Sequence, residues 1–132
     1  MNTESQSTRL RQLEHQFCEA IDLHVEPDTF DGGNCNECIV GQIGYAIGAF
    51  RKGVAKGGEG GDIRYYGSPN GLRATDASIP RALAVYMARG KGLTEDEFDQ
   101  FLLKVIDIYD EVAFMDYDKA VEYARKVMEC LS

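Results

Sequence analysis

Apolar positions recur at steps of three and four along most of the chain, the period of amphipathic helices. From Ser7 to Val25, the residues Leu10, Leu13, Phe17, Ala20, Ile21 and His24 fall on one helical face. Pro27 and Gly32-Gly33 break that pattern between Glu26 and Gly33. Asn34-x-x-Glu37 then has the form of a capping box and predicts a second helix from about Cys35 to Lys52. Its interior is uncharged and contains Gly41, Gly44 and Gly48. Each glycine costs a helix about 0.8–1 kcal/mol relative to Ala, a loss that close backbone packing would offset. This helix is therefore expected at the centre of the fold, closely crossed by another.

Five glycines between Gly53 and Gly61 make a loop, after which residues 62–66 read as a short strand. Ser68-Pro-Asn-Gly71 is a turn sequence, so residues 72–75 are expected to return as the second strand of a small β-hairpin near residues 62–75. Asp76 or Ser78 is suited to cap a third helix, with Pro80 in its first turn and Gly90 as its stop. Thr94-Glu-Asp-Glu97 is a capping box, with Leu93 and Phe98 at staple positions. It opens a fourth helix carrying Phe98, Phe101, Leu102, Val105, Tyr109 and Val112 on one side. Asp116 or Asp118 starts a fifth, with Tyr117, Ala120, Val121, Ala124, Val127, Met128 and Leu131 in register. The expected fold is mainly α (α+β at most), with about five helices around the glycine-containing second helix and one hairpin.

The chain of 132 residues has room for a single globular domain over 1–132, and its 44% hydrophobic content excludes a disordered linker protein. The longest uncharged run, Cys38 to Phe50, is shorter than the roughly 20 residues a membrane span needs. The opening residues lack the apolar core of a signal peptide, so a cytoplasmic location is expected. In such a reducing compartment Cys18, Cys35, Cys38 and Cys130 are expected to be free, metal-bound or redox-active rather than bridged.

The net charge of −8 is unevenly distributed. Residues 93–118 hold nine acids and one base, Lys104, whereas residues 51–91 hold eight bases and three acids. An acidic total weighs against direct nucleic-acid binding, because Lys and Arg contacts to phosphate supply most of that affinity. The acidic stretch has an ordinary reading as a solvated helix face. Its sharper reading is a surface for a protein partner with a basic surface, on which Glu95, Asp96, Asp99, Asp107, Asp110 and Glu111 are the candidate contacts.

Three other constellations bear on chemistry. His15-x-x-Cys18 and Cys35-x-x-Cys38 have zinc-ligand spacing, with His24 as a further candidate and zinc as the cofactor implied, although helical phase puts His15 and Cys18 toward the polar side and His24 on the apolar stripe. Cys35-x-x-Cys38 at a helix start also suits a redox pair, but no strand precedes it as in thioredoxin-like units. The glycine loop, flanked by Arg51, Lys52, Lys56, Arg64, Tyr65, Tyr66 and Arg73, is suited to hold a phosphorylated nucleotide or other anion, yet it matches neither a Walker A loop nor a dinucleotide fingerprint. Glu19-x-x-Asp22 with Asp107-x-x-Asp110 resembles the carboxylate pairs of all-α nucleotide pyrophosphohydrolases, which are denser and closer in sequence. With both histidines on the first helix, no Ser-His-Asp or Cys-His-Asn arrangement is expected, and no catalytic residue is assigned.

These readings favour a non-enzymatic interaction module that regulates or inhibits a partner. In size, acidity and missing enzyme motifs the chain resembles the small accessory proteins of phages and mobile elements, including anti-CRISPR-type inhibitors, a likeness of style that assigns no residue a role. The alternatives are an anion binder using the glycine loop and a zinc- or thiol-dependent protein using Cys35 and Cys38. The glycines of the second helix also suit a homo-oligomer seam.

Overall fold

Each of the four helix starts with a described cap or first turn follows from a local feature of the chain. In the computed structural model, residues 3–34, 36–53, 62–65 and 79–130 are described. They form helices α1 (Thr3–His24), α2 (Ile39–Ile47), α3 (Ile79–Ala88), α4 (Glu95–Glu111) and α5 (Tyr117–Val127), with strands β1 (Phe50–Gly53) and β2 (Asp62–Tyr65). A 3-10 turn, Val112–Phe114, links α4 to α5. The protein is mainly helical, and no helix among the described residues is long and apolar enough to cross a membrane.

The predicted caps of α4 and α5 form. Thr94 Oγ1 accepts from Glu97 N–H at 3.2 Å while Glu97 Oε1 accepts from Thr94 N–H at 2.8 Å. Asp116 Oδ1 accepts from Lys119 N–H at 2.9 Å. Pro80 lies in the first turn of α3, where its missing N–H costs nothing, and Gly90 follows that helix at φ +71°.

The second helix departs from expectation at both ends. Asn34 caps no helix; its Oδ1 accepts from Asn36 N–H at 2.8 Å and closes a turn of its own. Cys38 is the cap instead, its Sγ accepting from Gly41 N–H at 3.4 Å. The helix stops at Gly48, which takes φ +91°, and the chain turns back into β1 rather than continuing to Lys52. A Cβ on Gly44 would lie 2.0 Å from the Phe50 ring, so the close approach this glycine permits is that of β1's first side chain.

Strand β1 pairs antiparallel with β2, in the register Phe50↔Tyr65, Arg51↔Arg64, Lys52↔Ile63 and Gly53↔Asp62. The strand expected at 62–66 thus finds its described partner upstream; the return strand expected at 72–75 lies outside the described residues. Helix α2 packs against α1, α3 and α4, and α4 also meets α5. The shared core centres on Phe17, Ile21, Ile39, Ile43, Leu83, Phe101, Val105 and Met128, with Phe17 and Phe101 meeting edge to face at 6.4 Å. The loop after α1 docks on the 3-10 turn through Gly32, where an added Cβ would lie 2.0 Å from the Val112 carbonyl oxygen.

The cysteines require a correction. Cys18 of α1 is buried and forms a disulfide with Cys130, just beyond α5, rather than remaining a free thiol or a ligand on the polar side of α1. It is covered because the C-terminal turn folds back across α1, a contact between residues 112 apart in sequence.

Candidate functional site

Helix α4 divides its residues cleanly between two sides. Glu97, Phe101, Leu102, Val105 and Ile108 are buried, whereas Glu95, Asp96, Asp99, Asp107, Asp110 and Glu111 are all exposed. At 100° per residue these six carboxylates span the half-cylinder opposite the core. Glu97 is the exception among the helix's acids, since the capping box draws it inward to 4% exposure.

The single base of the acidic stretch does not neutralise this face. Lys104 reaches away toward Glu14 of α1, at 2.5 Å, and Glu129 beyond α5, at 3.0 Å. Among the described residues, none of the six candidate carboxylates makes an ion pair. Asp107 accepts from the Tyr123 hydroxyl through both carboxylate oxygens, at 2.9 Å each. Desolvation first, then the hydrogen bond and charge of Asp107 and the charge of Glu111, push the Tyr123 phenol up to about 12.

An apolar side chain that sequence reasoning passed over sits within this field. Leu103 is 64% exposed, and Asp96, Asp99, Asp107 and Asp110 lie seven and four residues to either side of it, along the same stripe of the helix. The signal was present as an apolar residue off the buried period. Phe114, just past the helix, is 92% exposed.

The carboxylates near the end of α4 run against helix electrostatics. Acids in a first turn complement the positive end of the helix dipole, whereas Asp110 and Glu111 sit in a last turn that holds no base. Stability of α4 accounts for Glu95 and Asp96 but not for these two.

The other candidate sites are brought together only in part. Arg51, Lys52, Arg64 and Tyr65 lie on β1 and β2, and the register sets Arg51 opposite Arg64. Lys56, Tyr66, Arg73 and the glycine loop lie outside the described residues. Of the proposed zinc ligands, Cys18 is committed to its disulfide, His15 is exposed, His24 is half-buried and Cys38 is buried at the start of α2; Cys35 lies outside the described residues. No group of three or more His, Cys, Asp or Glu suited to hold a metal occurs among the described residues. The acidic pairs on α1 and α4 are each engaged separately, Asp22 with Arg125 at 2.6 Å and Asp107 with Tyr123.

A polar hollow of about 540 Å³ opens between the loop after α1 and α2, lined by Asn34, Asn36, Gln42 and Tyr45 among others. These groups serve the loop itself. Gln42 accepts from Glu26 N–H and donates to the Glu37 carbonyl, both at 2.9 Å, and the Tyr45 hydroxyl donates to Asn36 at 3.2 Å. No protein-family model matches the chain, and comparison with curated proteins and with solved structures returns no match.

Proposed function

We propose that the protein is a non-enzymatic interaction module that docks the exposed face of α4 onto a basic surface of a protein partner and so regulates or inhibits that partner. One observation carries this reading: Leu103, an exposed apolar side chain, is set among carboxylates that no described cation pairs. Charge around an apolar contact steers the encounter and fixes the register, while the apolar residue supplies area to bury. The acids in the last turn, which the helix dipole disfavours, add support, because a fold selected only for stability has no use for them.

The test compares the purified chain with two variants against the protein it captures from its source cells. Asp99→Lys/Asp107→Lys/Asp110→Lys abolishes capture, and binding by the unaltered chain falls steeply with salt. Leu103→Ala weakens binding about tenfold or more at every salt concentration. Undiminished affinity of the charge-reversed variant, with its helical spectrum intact, sinks the proposal.

A second reading rests on the register of β1 and β2. The register sets two basic residues, Arg51 and Arg64, at opposite positions of the ladder, a doubling of positive charge of the kind a phosphate or other anion is drawn to. In that case a phosphorylated nucleotide raises the melting temperature, and Arg64→Ala or Arg73→Ala removes the rise while leaving the fold intact. Equal stabilisation of both variants excludes this site.

A further inference from the structure

The exposed side of α3 repeats the pattern of the exposed side of α4 with the charge reversed. On α4, Leu103 has Asp99 four residues before it and Asp107 four residues after it. On α3, Val85 is 43% exposed and has Arg81 four residues before it and Arg89 four residues after it, in the turn that follows the helix. Residues at steps of four share one stripe of a helix surface, so each stripe sets an apolar centre between two like charges about 12 Å apart along the axis. Arg81 and Arg89 are exposed, and neither makes an ion pair among the described residues. The Arg89 guanidinium lies 5.6 Å from the centre of the Tyr86 ring, a contact that holds it without supplying a counter-charge.

Helix electrostatics does not account for the α3 stripe. Arg81 is the third residue of its helix, in a first turn that holds no acid, where a cation opposes the positive end of the dipole. It is the counterpart of Asp110 and Glu111 in the last turn of α4. The surface beside Val85 is also hollowed. Val85, Ala88, Arg89, Leu93 and Phe98 line a recess of about 400 Å³, and of these Arg89 alone is charged.

We infer that the α4 stripe of one copy of the chain docks on the α3 stripe of a second, a step that rests on the docking role of α4: Leu103 enters the recess beside Val85 while Asp99 and Asp107 pair with Arg81 and Arg89. Opposite charges at equal spacing about an apolar centre make the second copy the occupant that this surface fits. Each stripe is symmetric about its centre, so the charges match with the two helices in either direction. Helices α3 and α4 pack against each other, which puts both stripes on neighbouring elements of every copy. Two chains of net charge −8 repel at long range, and the association is accordingly weak and concentration-dependent. While it lasts it covers the α4 face, and dissociation releases that face to another basic partner.

Sedimentation equilibrium of the full chain over about 10–500 µM tests this, the range in which a weak pair of copies forms and separates. The average mass rises with concentration above that of one chain. Arg81→Glu/Arg89→Glu and Asp99→Lys/Asp107→Lys each stay monomeric where the unaltered chain associates, with their helical spectra intact. An equimolar mixture of the two variants associates, because each reversed stripe meets its opposite on the other variant. Leu103→Ala weakens the association of the unaltered chain about tenfold. Should a reversed variant not fold, Arg81→Gln/Arg89→Gln and Asp99→Asn/Asp107→Asn take their place, and each weakens the association about tenfold. A mass that stays at one chain throughout, association that survives either reversal, or a mixture that stays monomeric each overturns the inference. Arg81→Glu/Arg89→Glu leaves the α4 face untouched and captures a basic partner as the unaltered chain does. A monomeric chain that still captures such a partner through its carboxylates therefore loses the pairing of copies alone, and one that pairs but captures nothing loses the separate partner.

Discussion

Two adjacent glycines place opposite demands on a side chain. An added Cβ at Gly32 would collide with the Val112 carbonyl oxygen at 2.0 Å, whereas at Gly33 its nearest neighbour is 3.6 Å away. Gly32→Ala is therefore expected to cost about 2 kcal/mol, as overpacking against backbone does, and Gly33→Ala to change stability by no more than about 1 kcal/mol. Urea denaturation of the pair checks this, and equal costs would refute the docking of this loop on the 3-10 turn. Tyr123 offers a second test at this scale. Its phenol is raised to about 12, so the stabilisation that its neutral form gives the fold is complete below the ordinary tyrosine value of 10.0. That stabilisation is lost as pH rises through the folded value. Absorbance titration should show a late-ionising component that Tyr123→Phe removes and Asp107→Asn moves back toward 10. What sequence reading missed among single residues has one cause. Glu14 and Cys18 lie on the flank of the α1 stripe and become buried only because the C-terminal turn and α4 cover that flank.

Helices α3 to α5 were legible because each is specified locally. The Thr94 box, the Asp116 cap and Pro80 act within four residues of themselves, and the apolar period does the rest. Thr94→Ala should cost about 1 kcal/mol by thermal or chemical denaturation. Helix α2 was misread at both ends because two of its signals are ambiguous in one dimension. An Asn followed three residues later by Glu serves a free-standing turn as well as a cap. A glycine within an apolar run is equally a helix interior or, like Gly48, its end. The acidic face of α4 was legible as composition, since spacing alone puts its six carboxylates on one half of the helix, but the isolation of Leu103 required knowing where Lys104 goes. Helix electrostatics also separates the two readings of that face. Glu95→Gln and Asp96→Asn should destabilise α4 by about 0.3–1 kcal/mol, and Asp110→Asn and Glu111→Gln should stabilise it by a similar amount at low salt. If all four substitutions destabilise equally, the last-turn acids serve the fold and the argument for a docking role loses that support.

At the scale of the whole molecule, one lysine ties together two helices and the C-terminal turn, which the sequence leaves unrelated. Glu14 and Lys104 are 90 residues apart, and Lys104 and Glu129 are 25 apart; no periodicity or motif couples them. The Glu14 side chain is only 1% exposed, so its charge is held in a poorly solvated place and depends on the cations that reach it, Lys104 at 2.5 Å and Arg11 at 3.6 Å. Burial by itself lowers the Lys104 amine, but its hydrogen bonds to Glu14 and Glu129 outweigh that and leave it raised above 10.5. The same hydrogen bond, with the charge of Lys104, holds Glu129 below the usual carboxylate range. The signs define a window. The Glu129 contribution is present at pH above the ordinary carboxylate value and is lost as pH falls through its depressed folded value. The Lys104 contribution is present below 10.5 and is lost as pH rises through its raised one. Within that window Lys104→Met should cost about 2 kcal/mol in urea denaturation, because it leaves a buried carboxylate with only the longer Arg11 pair, at 3.6 Å. Lys104→Met/Glu14→Gln should recover most of that loss, since the stranded charge has gone with its partner. If the double variant is as unstable as the single one, the cost is lost packing rather than an uncompensated charge. In that event the link from α1 through α4 to the C-terminal turn is steric, and the stability of the turn should be insensitive to pH.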